Sequence, residues 1–195
     1  DDGIISTQLE NMLSKLEYEI SGVVAFGEEV FQTVCETNTD LILMDIYLAG
    51  EMTGIEAAGQ IRDKFDIPMV YLTAYADDEL LRKAQTTEPH GYLVKPVQDR
   101  ELYATIEMVL YKHSMEKKLK ESEKWLSTTL RSIGDAVIAT DANGNVKFMN
   151  PVAESLTGWR QEDATDSHLK EVFNIVKEDT GMQVESPVTK VIKEG

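Results

Sequence analysis

Three polar residues in this sequence each come directly after a short apolar run. Asp45, Thr73 and Lys95 follow runs of three or four aliphatic or aromatic residues. Such runs are typical of strands buried on both faces of a parallel sheet, and ligands of these sheets collect at the carboxyl ends of the strands. A carboxylate, a hydroxyl and an ammonium group at one edge can form an acyl phosphate and hold it. The sequence therefore predicts a phosphorylation switch.

Asp45 is the candidate phosphoacceptor, because a carboxylate is a competent nucleophile toward a phosphoryl group. Lys95 could reach a phosphoryl oxygen as a point charge, and the Thr73 hydroxyl could hydrogen-bond another. The transfer also calls for a divalent cation, and Mg²⁺ prefers hard oxygen ligands, which Asp45 with Asp1 or Asp2 would supply. Taken singly, an Asp that ends a strand is often only a turn former. The three polar residues on successive strand ends together favour the chemical interpretation.

Up to about residue 112 the pattern alternates between helix and strand, which is typical of a doubly wound parallel sheet covered on both faces by helices. The series opens on a helix, so we expect a missing first strand before Asp1, central in the order 2-1-3-4-5, and we interpret the chain as part of a longer protein. The predicted helices are Ser6–Leu16, Glu28–Glu36, Gly54–Phe65, Asp77–Thr87 and one from Asp99 onward. The predicted strands are Ile20–Phe26, Leu41–Ile46, Met69–Thr73 and Tyr92–Val94.

The fifth helix has no obvious stop, because residues 99–130 contain neither Pro nor Gly and place apolar residues at roughly helical spacing. A helix of about 30 residues spans about 45 Å, which is too long for one small domain. We interpret residues 113–130 as a connecting helix that could pair with a second copy as a coiled coil, making a homodimer. The alternative is a helix that docks back on the first domain.

After residue 131 the pattern becomes strand, turn, strand. Asn143-Gly144 between two apolar runs is a strong hairpin signal, since both residues tolerate positive φ. Asn150 and Pro151 then open a short helix as its cap and first-turn residue. An amphipathic stretch at Pro187–Lys193 follows, with too few strands to close a sheet, so we expect this second domain to be cut short.

One pattern runs from Asp1 to about Lys112 in five segments. These are Asp1–Gly3, Leu41–Ile46, Gly50–Ala58, Val70–Tyr75 and Gly91–Pro96. With these segments in this order, residues 1–112 resemble a response-regulator receiver domain of two-component signalling. The resemblance implies an α/β, flavodoxin-like (CheY-like) doubly wound parallel sheet, here lacking its first strand. It also implies a phosphoacceptor module of a phosphorelay, with a histidine kinase or a phosphotransfer protein as partner.

The same resemblance implies a role for each site residue. Asp45 would be the phosphorylated aspartate, and Lys95 the lysine that contacts the phosphoryl group. Thr73 would be the switch hydroxyl, and Tyr92 the aromatic side chain that turns inward on phosphorylation. From the residues alone, an aromatic side chain on a strand is more often a packing residue, so the switch role of Tyr92 rests on the family.

Mg²⁺ would be held by Asp45, by the backbone carbonyl of Tyr47 and by an acidic residue at the start of the chain. Aligning Gly3 with the family pattern makes Asp1 the second of two adjacent acidic residues, and Asp1 is the ligand assigned here. Asp1 and Asp2 could instead be the pair themselves, so the choice between them stays open.

Residues 131–195 resemble the first part of a PAS sensor domain, an α+β fold. The segments that carry this resemblance are Ser132–Asp141, Val146–Glu154 and Leu156–Trp159. No cysteine follows Cys35, which argues against flavin photochemistry that needs a reactive cysteine. His168 is the candidate haem ligand in this region, although a solvated side chain is the more ordinary interpretation. The PAS ligand is left unassigned.

Composition limits the partners and the location. The 195 residues carry a net charge of −16, which argues against direct nucleic-acid binding because no basic cluster could neutralise phosphates. No apolar stretch reaches the length of a membrane span. The single cysteine, Cys35, is expected to pack on a helix and fits a reducing, cytoplasmic compartment.

Two other functions are open alternatives. The first is a receiver-like interaction domain that is not phosphorylated. The second and less favoured is an aspartate-nucleophile phosphohydrolase, which needs a second Asp two residues after the first, where Tyr47 stands here. No ATP-binding glycine motif occurs, so we expect no enzyme activity beyond Mg²⁺-dependent self-phosphorylation and self-dephosphorylation of Asp45.

Overall fold

The computed structural model describes residues 2–74 and 89–173, with side chains from residue 6 onward. The chain divides into two compact units, residues 1–118 and 119–195, and each is described by itself. The predicted helix Asp77–Thr87, the candidate ligand Asp1 and the amphipathic stretch Pro187–Lys193 lie outside the described residues.

The first unit is a parallel sheet with helices on both faces. Its described elements are α1 (Asp2–Lys15), α2 (Gly27–Glu36), β1 (Ile42–Asp45), α3 (Gly54–Arg62), β2 (Met69–Thr73), β3 (Gly91–Val94) and the start of α4 (Asp99–Ser132). The described strands pair in the order β1-β2-β3, all parallel. The doubly wound α/β arrangement expected from the sequence is confirmed.

Strand β2 is buried along its whole length and separates two apolar clusters. Met69 and Tyr71 face α2 and α3 on one side of the sheet. Val70 and Leu72 face α1 and α4 on the other side. This alternation follows from the two-residue period of a strand, and covering both faces explains why β2 is apolar throughout.

The predicted strand Ile20–Phe26 is wrong. This segment forms only an isolated bridge between Phe26 and Ala49 and no ladder. A strand needs a continuous row of hydrogen bonds to a neighbour, and among residues 2–74 and 89–173 no strand pairs with it. Val23 and Phe26 are accordingly exposed.

Two smaller expectations also differ from the structure. Helix α3 ends at Arg62 rather than at the predicted Phe65, with Asp63 as its cap. Cys35 is exposed on α2 and not packed, because Val30 and Val34 fill the buried face of that helix. A residue next to Val34 is turned by about 100° from it and so leaves the apolar stripe.

Helix α4 is continuous over 34 residues, as the absence of Pro and Gly predicts. Its buried residues are Leu102, Ile106 and Val109, all near its beginning. It is too polar to cross a bilayer, and no other helix in the described ranges has the length and apolar character to do so.

The second unit begins within α4, and its residues up to 173 form a β-hairpin and three short helices. The strands β4 (Ile138–Thr140) and β5 (Val146–Met149) pair antiparallel. The turn between them uses Gly144 at φ 84°, and the Asp141 carboxylate accepts the backbone N–H groups of Asn143 and Asn145. The helices are α5 (Pro151–Thr157), α6 (Gln161–Ala164) and α7 (Leu169–Val172).

Asn150 holds this second unit together. Its side chain is fully buried, and its oxygen accepts the backbone N–H groups of Val137 and Ala153 at 2.9 Å each. One hydrogen of its amide nitrogen is donated to the Asp135 carbonyl at 2.8 Å, and the other is shared between the carbonyls of Leu130 and Ile133 at 3.3 and 3.4 Å. The Leu130 carbonyl belongs to the last turn of α4, where the helix itself offers no donor. One side chain therefore links the end of α4, the segment before β4 and the start of α5.

We expect Gly54→Ala to destabilise the first unit by about 1–3 kcal/mol or more, because a Cβ at Gly54 would overlap the backbone oxygen of Asp45. The matched control is Gly59→Ala in the same helix, where nothing lies within 4 Å of the added Cβ. That change should stabilise by about 0.5–1 kcal/mol. Denaturant unfolding of both variants measures the contrast, and equal effects would contradict the close packing.

His90 should make the first unit less stable in mild acid. Its Nδ1 accepts the Met69 backbone N–H at 3.3 Å, which only a neutral ring can do, and burial followed by the nearby His113 holds its pKa below the ordinary 6.5. The unfolded chain therefore binds a proton more readily, so stability is full above about pH 6.5 and falls as the pH drops further. In His90→Asn, whose amide oxygen can accept the same N–H, the loss between pH 7 and pH 5 should be smaller. Unfolding midpoints that fall equally in both proteins would refute this assignment.

Candidate phosphoacceptor site

The three residues singled out in the sequence lie at the carboxyl edge of the sheet. Asp45 ends β1, Thr73 ends β2, and Lys95 comes directly after β3. The parallel register brings these ends level, with Asp45 opposite Leu72 and Thr73 opposite Val94. The Lys95 backbone N–H donates to the Thr73 carbonyl at 2.8 Å, which extends the pairing by one residue.

The Asp45 carboxylate is paired through both of its oxygens. Its Oδ2 forms an ion pair with the Lys95 ammonium group, and its Oδ1 accepts the Tyr47 backbone N–H at 3.1 Å. The two charged side chains are only 22% and 18% exposed, so the pair is partly shielded from water. Charge-assisted hydrogen bonds of this kind fix the direction of both groups. The arrangement presents a carboxylate oriented by a neighbouring cation.

Thr73 and Tyr92 occupy neighbouring strands but differ in their partners. The Thr73 side chain is buried, and its hydroxyl donates to the Ala74 carbonyl at 3.1 Å. The Tyr92 ring stacks on Tyr71 with centroids 6.0 Å apart, and desolvation by burial raises the pKa of its hydroxyl. In the part of the chain that the structure describes, the Tyr92 hydroxyl is buried and finds no hydrogen-bond partner.

The loop after β1 is anchored beside Asp45 by residues whose role the sequence analysis did not identify. The Gly54 backbone N–H donates to the Ile46 carbonyl at 3.0 Å, and its missing side chain lets α3 approach the Asp45 backbone. Thr53 caps α3 together with Glu56, and the Thr53 backbone N–H that donates to Glu56 lowers the pKa of that carboxyl. The sequence did contain a signal for the start of α3, because Thr53 and Glu56 have the three-residue spacing of a capping box.

The oxygen ligands expected for Mg²⁺ are described in part. Asp45 and the backbone carbonyl of Tyr47, two residues later, are hard oxygen donors of the type that Mg²⁺ prefers. Asp1, assigned as the third donor, lies outside the described residues. Within the described ranges no group of three or more His, Cys, Asp or Glu side chains is placed to hold a metal.

His168, weighed as a haem ligand, has a local structural role. Its Nδ1 accepts the Lys170 backbone N–H at 3.2 Å, so it caps the short helix α7. The ring is partly buried and lies beside Gly144, so it is not the fully solvated side chain of the ordinary interpretation.

Two family models match the chain in sequence order. The response regulator receiver domain matches residues 1–107, and the PAS fold matches residues 126–195. Helix α4 spans the interval between the two matches.

Curated relatives and solved structures agree with the first match. The transcriptional regulatory protein PdtaR of Mycobacterium tuberculosis is 28% identical over 93% of this chain and 88% of its own length. The transcriptional regulatory protein AfsQ1 of Streptomyces coelicolor is 33% identical over 73% of this chain and 58% of its own length.

Among solved structures, the signal receiver domain of a modulated diguanylate cyclase from Desulfovibrio desulfuricans is 32% identical. It covers 60% of this chain and 92% of its own length, with a TM-score of 0.57. The N-terminal domain of a response regulator/sensory box/GGDEF 3-domain protein from Carboxydothermus hydrogenoformans is 28% identical. That domain covers 58% of this chain and 90% of its own length, with a TM-score of 0.54.

The receiver model covers more than half of the chain, and the structure places Asp45, Thr73 and Lys95 on neighbouring strand ends. The chain therefore belongs to the response regulator receiver family, and it carries the receiver domain of a two-component response regulator followed by a PAS domain.

Proposed function

We propose that this chain is the phosphoacceptor module of a phosphorelay, phosphorylated on Asp45 by a histidine kinase or a phosphotransfer protein. The observation that carries the proposal is the ion pair between Asp45 and Lys95 at the carboxyl edge of the sheet. It supplies the two groups that an acyl phosphate needs, a nucleophilic carboxylate and a cation beside it.

The proposed step transfers a phosphoryl group to an Asp45 oxygen. The bond from phosphorus to the donor, a phosphohistidine nitrogen or the acyl oxygen of acetyl phosphate, breaks as the bond from phosphorus to Asp45 forms. The leaving imidazole takes a proton from solvent, whereas leaving acetate needs none. Transfer of this kind depends on positioning and on counter-charge, which Lys95 and a bound Mg²⁺ would supply. Asp45 and the Tyr47 carbonyl, with Asp1 or Asp2, are the proposed ligands of that ion.

Phosphorylation would change the contacts of three neighbouring residues. Lys95, which pairs with the Asp45 carboxylate, would pair instead with a phosphoryl oxygen. The Thr73 hydroxyl, which donates to the Ala74 carbonyl, would turn toward the phosphoryl group. This would open space for Tyr92, whose buried hydroxyl has no partner in the described ranges. A local change in charge would thus alter the surface around β3 and α4.

We further propose that α4 couples this receiver to the PAS region. The proposed layout is a receiver at residues 1–112, a connecting helix at 113–130 and a PAS domain from 131 onward. The support is that α4 starts with residues packed on the receiver core, Leu102 and Ile106, and runs unbroken to Ser132. In the second unit the last turn of α4 accepts a hydrogen bond from the Asn150 side chain.

The remaining parts of the proposal concern activity and location. We propose no enzyme activity beyond self-phosphorylation and self-dephosphorylation of Asp45, and no direct nucleic-acid partner, given the net charge of −16. A cytoplasmic location follows from the proposed kinase partner and from a single cysteine.

The test is labelling with radiolabelled acetyl phosphate and Mg²⁺. The protein should take up label that neutral hydroxylamine removes, and EDTA should prevent the uptake because the cation balances charge in the transfer. Asp45→Asn should abolish labelling. Lys95→Gln should lower it at least tenfold, while Lys95→Arg, which keeps the charge, should lose less.

The matched control is Asp40→Asn, which removes an exposed carboxylate just before β1 and should label like the unaltered protein. Label that survives Asp45→Asn, or that resists hydroxylamine, would refute an aspartyl phosphate at this position.

A further inference from the structure

Two histidines and an aspartate meet at the amino edge of the sheet, at the opposite end of the strands from Asp45. His90 comes directly before β3, Asp66 lies in the segment before β2, and His113 lies on α4. The rings of His90 and His113 meet edge to face, with centroids 5.7 Å apart and planes at 78°. The His113 Nε2 atom lies 3.3 Å from an Asp66 carboxylate oxygen. We call these three residues the amino-edge cluster.

The cluster marks the end of the packed part of α4. One face of the helix is formed by residues that follow one another at intervals of three or four, namely Leu102, Ile106, Val109 and His113. The first three are buried, and the His113 side chain is 17% exposed. Every residue from 115 to 129 is exposed. His113 is therefore the last member of the face that packs on the first unit.

Hydrogen bonds define the protonation state of each ring. The His90 Nδ1 atom accepts the Met69 backbone N–H at 3.3 Å, so this ring is neutral and carries its proton on Nε2. A carboxylate only accepts, so the His113 Nε2 atom donates to Asp66, which either a neutral or a charged ring can do. The cluster can therefore take one added proton, on His113, without losing a hydrogen bond.

A second added proton would have to go to His90, and the surroundings oppose it. A charged His90 ring could not accept the Met69 N–H, and it would lie against a charged His113 ring. Burial, followed by the nearby His113, holds the pKa of His90 below its ordinary value. Among the described residues, the other charged groups that act on this ring are Asp66, Lys112 and Glu116. Lys112 and Glu116 pair with each other at 3.8 Å, so their effects on the ring oppose one another.

We propose that the amino-edge cluster is a proton-operated switch, in which acidification separates His113 from His90 and frees the last packed turn of α4 from the sheet. The open form takes up one proton more than the closed form, because both rings can be charged only when they are apart. The earlier turns of α4 are held by apolar contacts that do not titrate, so the change is local. Neither ring belongs to the phosphoacceptor site, so the switch stands independently of phosphotransfer to Asp45.

Amide hydrogen exchange of the full chain at pH 7.5 and pH 5.5 tests the switch, with each rate divided by the intrinsic rate at that pH. If the open form binds one extra proton at the ordinary histidine pKa of about 6.5, the opening equilibrium of residues 110–116 should rise about tenfold at the lower pH. Peptides covering residues 100–107 should change less than about twofold. An equal rise along the whole of α4, or no rise at residues 110–116, would overturn the proposal.

His90→Asn removes the ring that takes the second proton and keeps an oxygen that can accept the Met69 N–H. In this variant the opening equilibrium of residues 110–116 should differ by less than about twofold between the two pH values. The matched control is His168→Asn in the second unit, because His168 also accepts a backbone N–H but lies outside the cluster. The control should keep the tenfold rise. A rise that survives His90→Asn, or one that is lost in His168→Asn, would refute the switch.

Nitrogen-15 spectra of the histidine rings test the same assignment in the unaltered protein, without any variant. At pH 7.5 the His90 ring should be neutral with its proton on Nε2, and a proton on Nδ1 would contradict the structure of the cluster. As the pH falls toward 5.5, charging of His90 should coincide with the opening of residues 110–116. A charged His90 ring beside a turn of α4 that stays closed would overturn the proposal.

Discussion

The pairing of three parallel strands in one register is the constraint on which the site depends. With β1, β2 and β3 level at their carboxyl ends, Asp45 and Lys95 form an ion pair although they lie far apart in the sequence. A shift of one residue in any strand would turn its side chains to the other face of the sheet. The two apolar clusters on either side of β2 make such a shift costly. Packing of the core thus sets the geometry of the charged pair.

The start of α3 adds a second constraint close to the same carboxylate. Gly54 brings the helix against the backbone of Asp45, and the Thr53 capping box fixes where the helix begins. Hydrogen bonds therefore hold the loop between β1 and α3 at both ends. The Tyr47 backbone N–H donates to the Asp45 carboxylate, and the Gly54 backbone N–H donates to the Ile46 carbonyl.

The first turns of helix α4 have apolar side chains on two opposite faces, one buried and one exposed. Leu102, Ile106 and Val109 pack on the sheet, while Met108 and Tyr111 project from the opposite side. The last turn of α4 belongs to the second unit, where the buried Asn150 side chain donates a hydrogen bond to the Leu130 carbonyl.

Local sequence patterns were enough to predict three strands followed by Asp45, Thr73 and Lys95, the unbroken helix from Asp99 and the Asn-Gly hairpin. They were enough because propensity and periodicity depend only on nearby residues. The family resemblance and the doubly wound fold followed from the same segments. Only the tertiary structure decided that Ile20–Phe26 is not a strand and that the Asp45 carboxylate pairs with Lys95. It also decided the close approach at Gly54 and the network of Asn150. These features depend on which distant groups meet, and no local pattern contains that information.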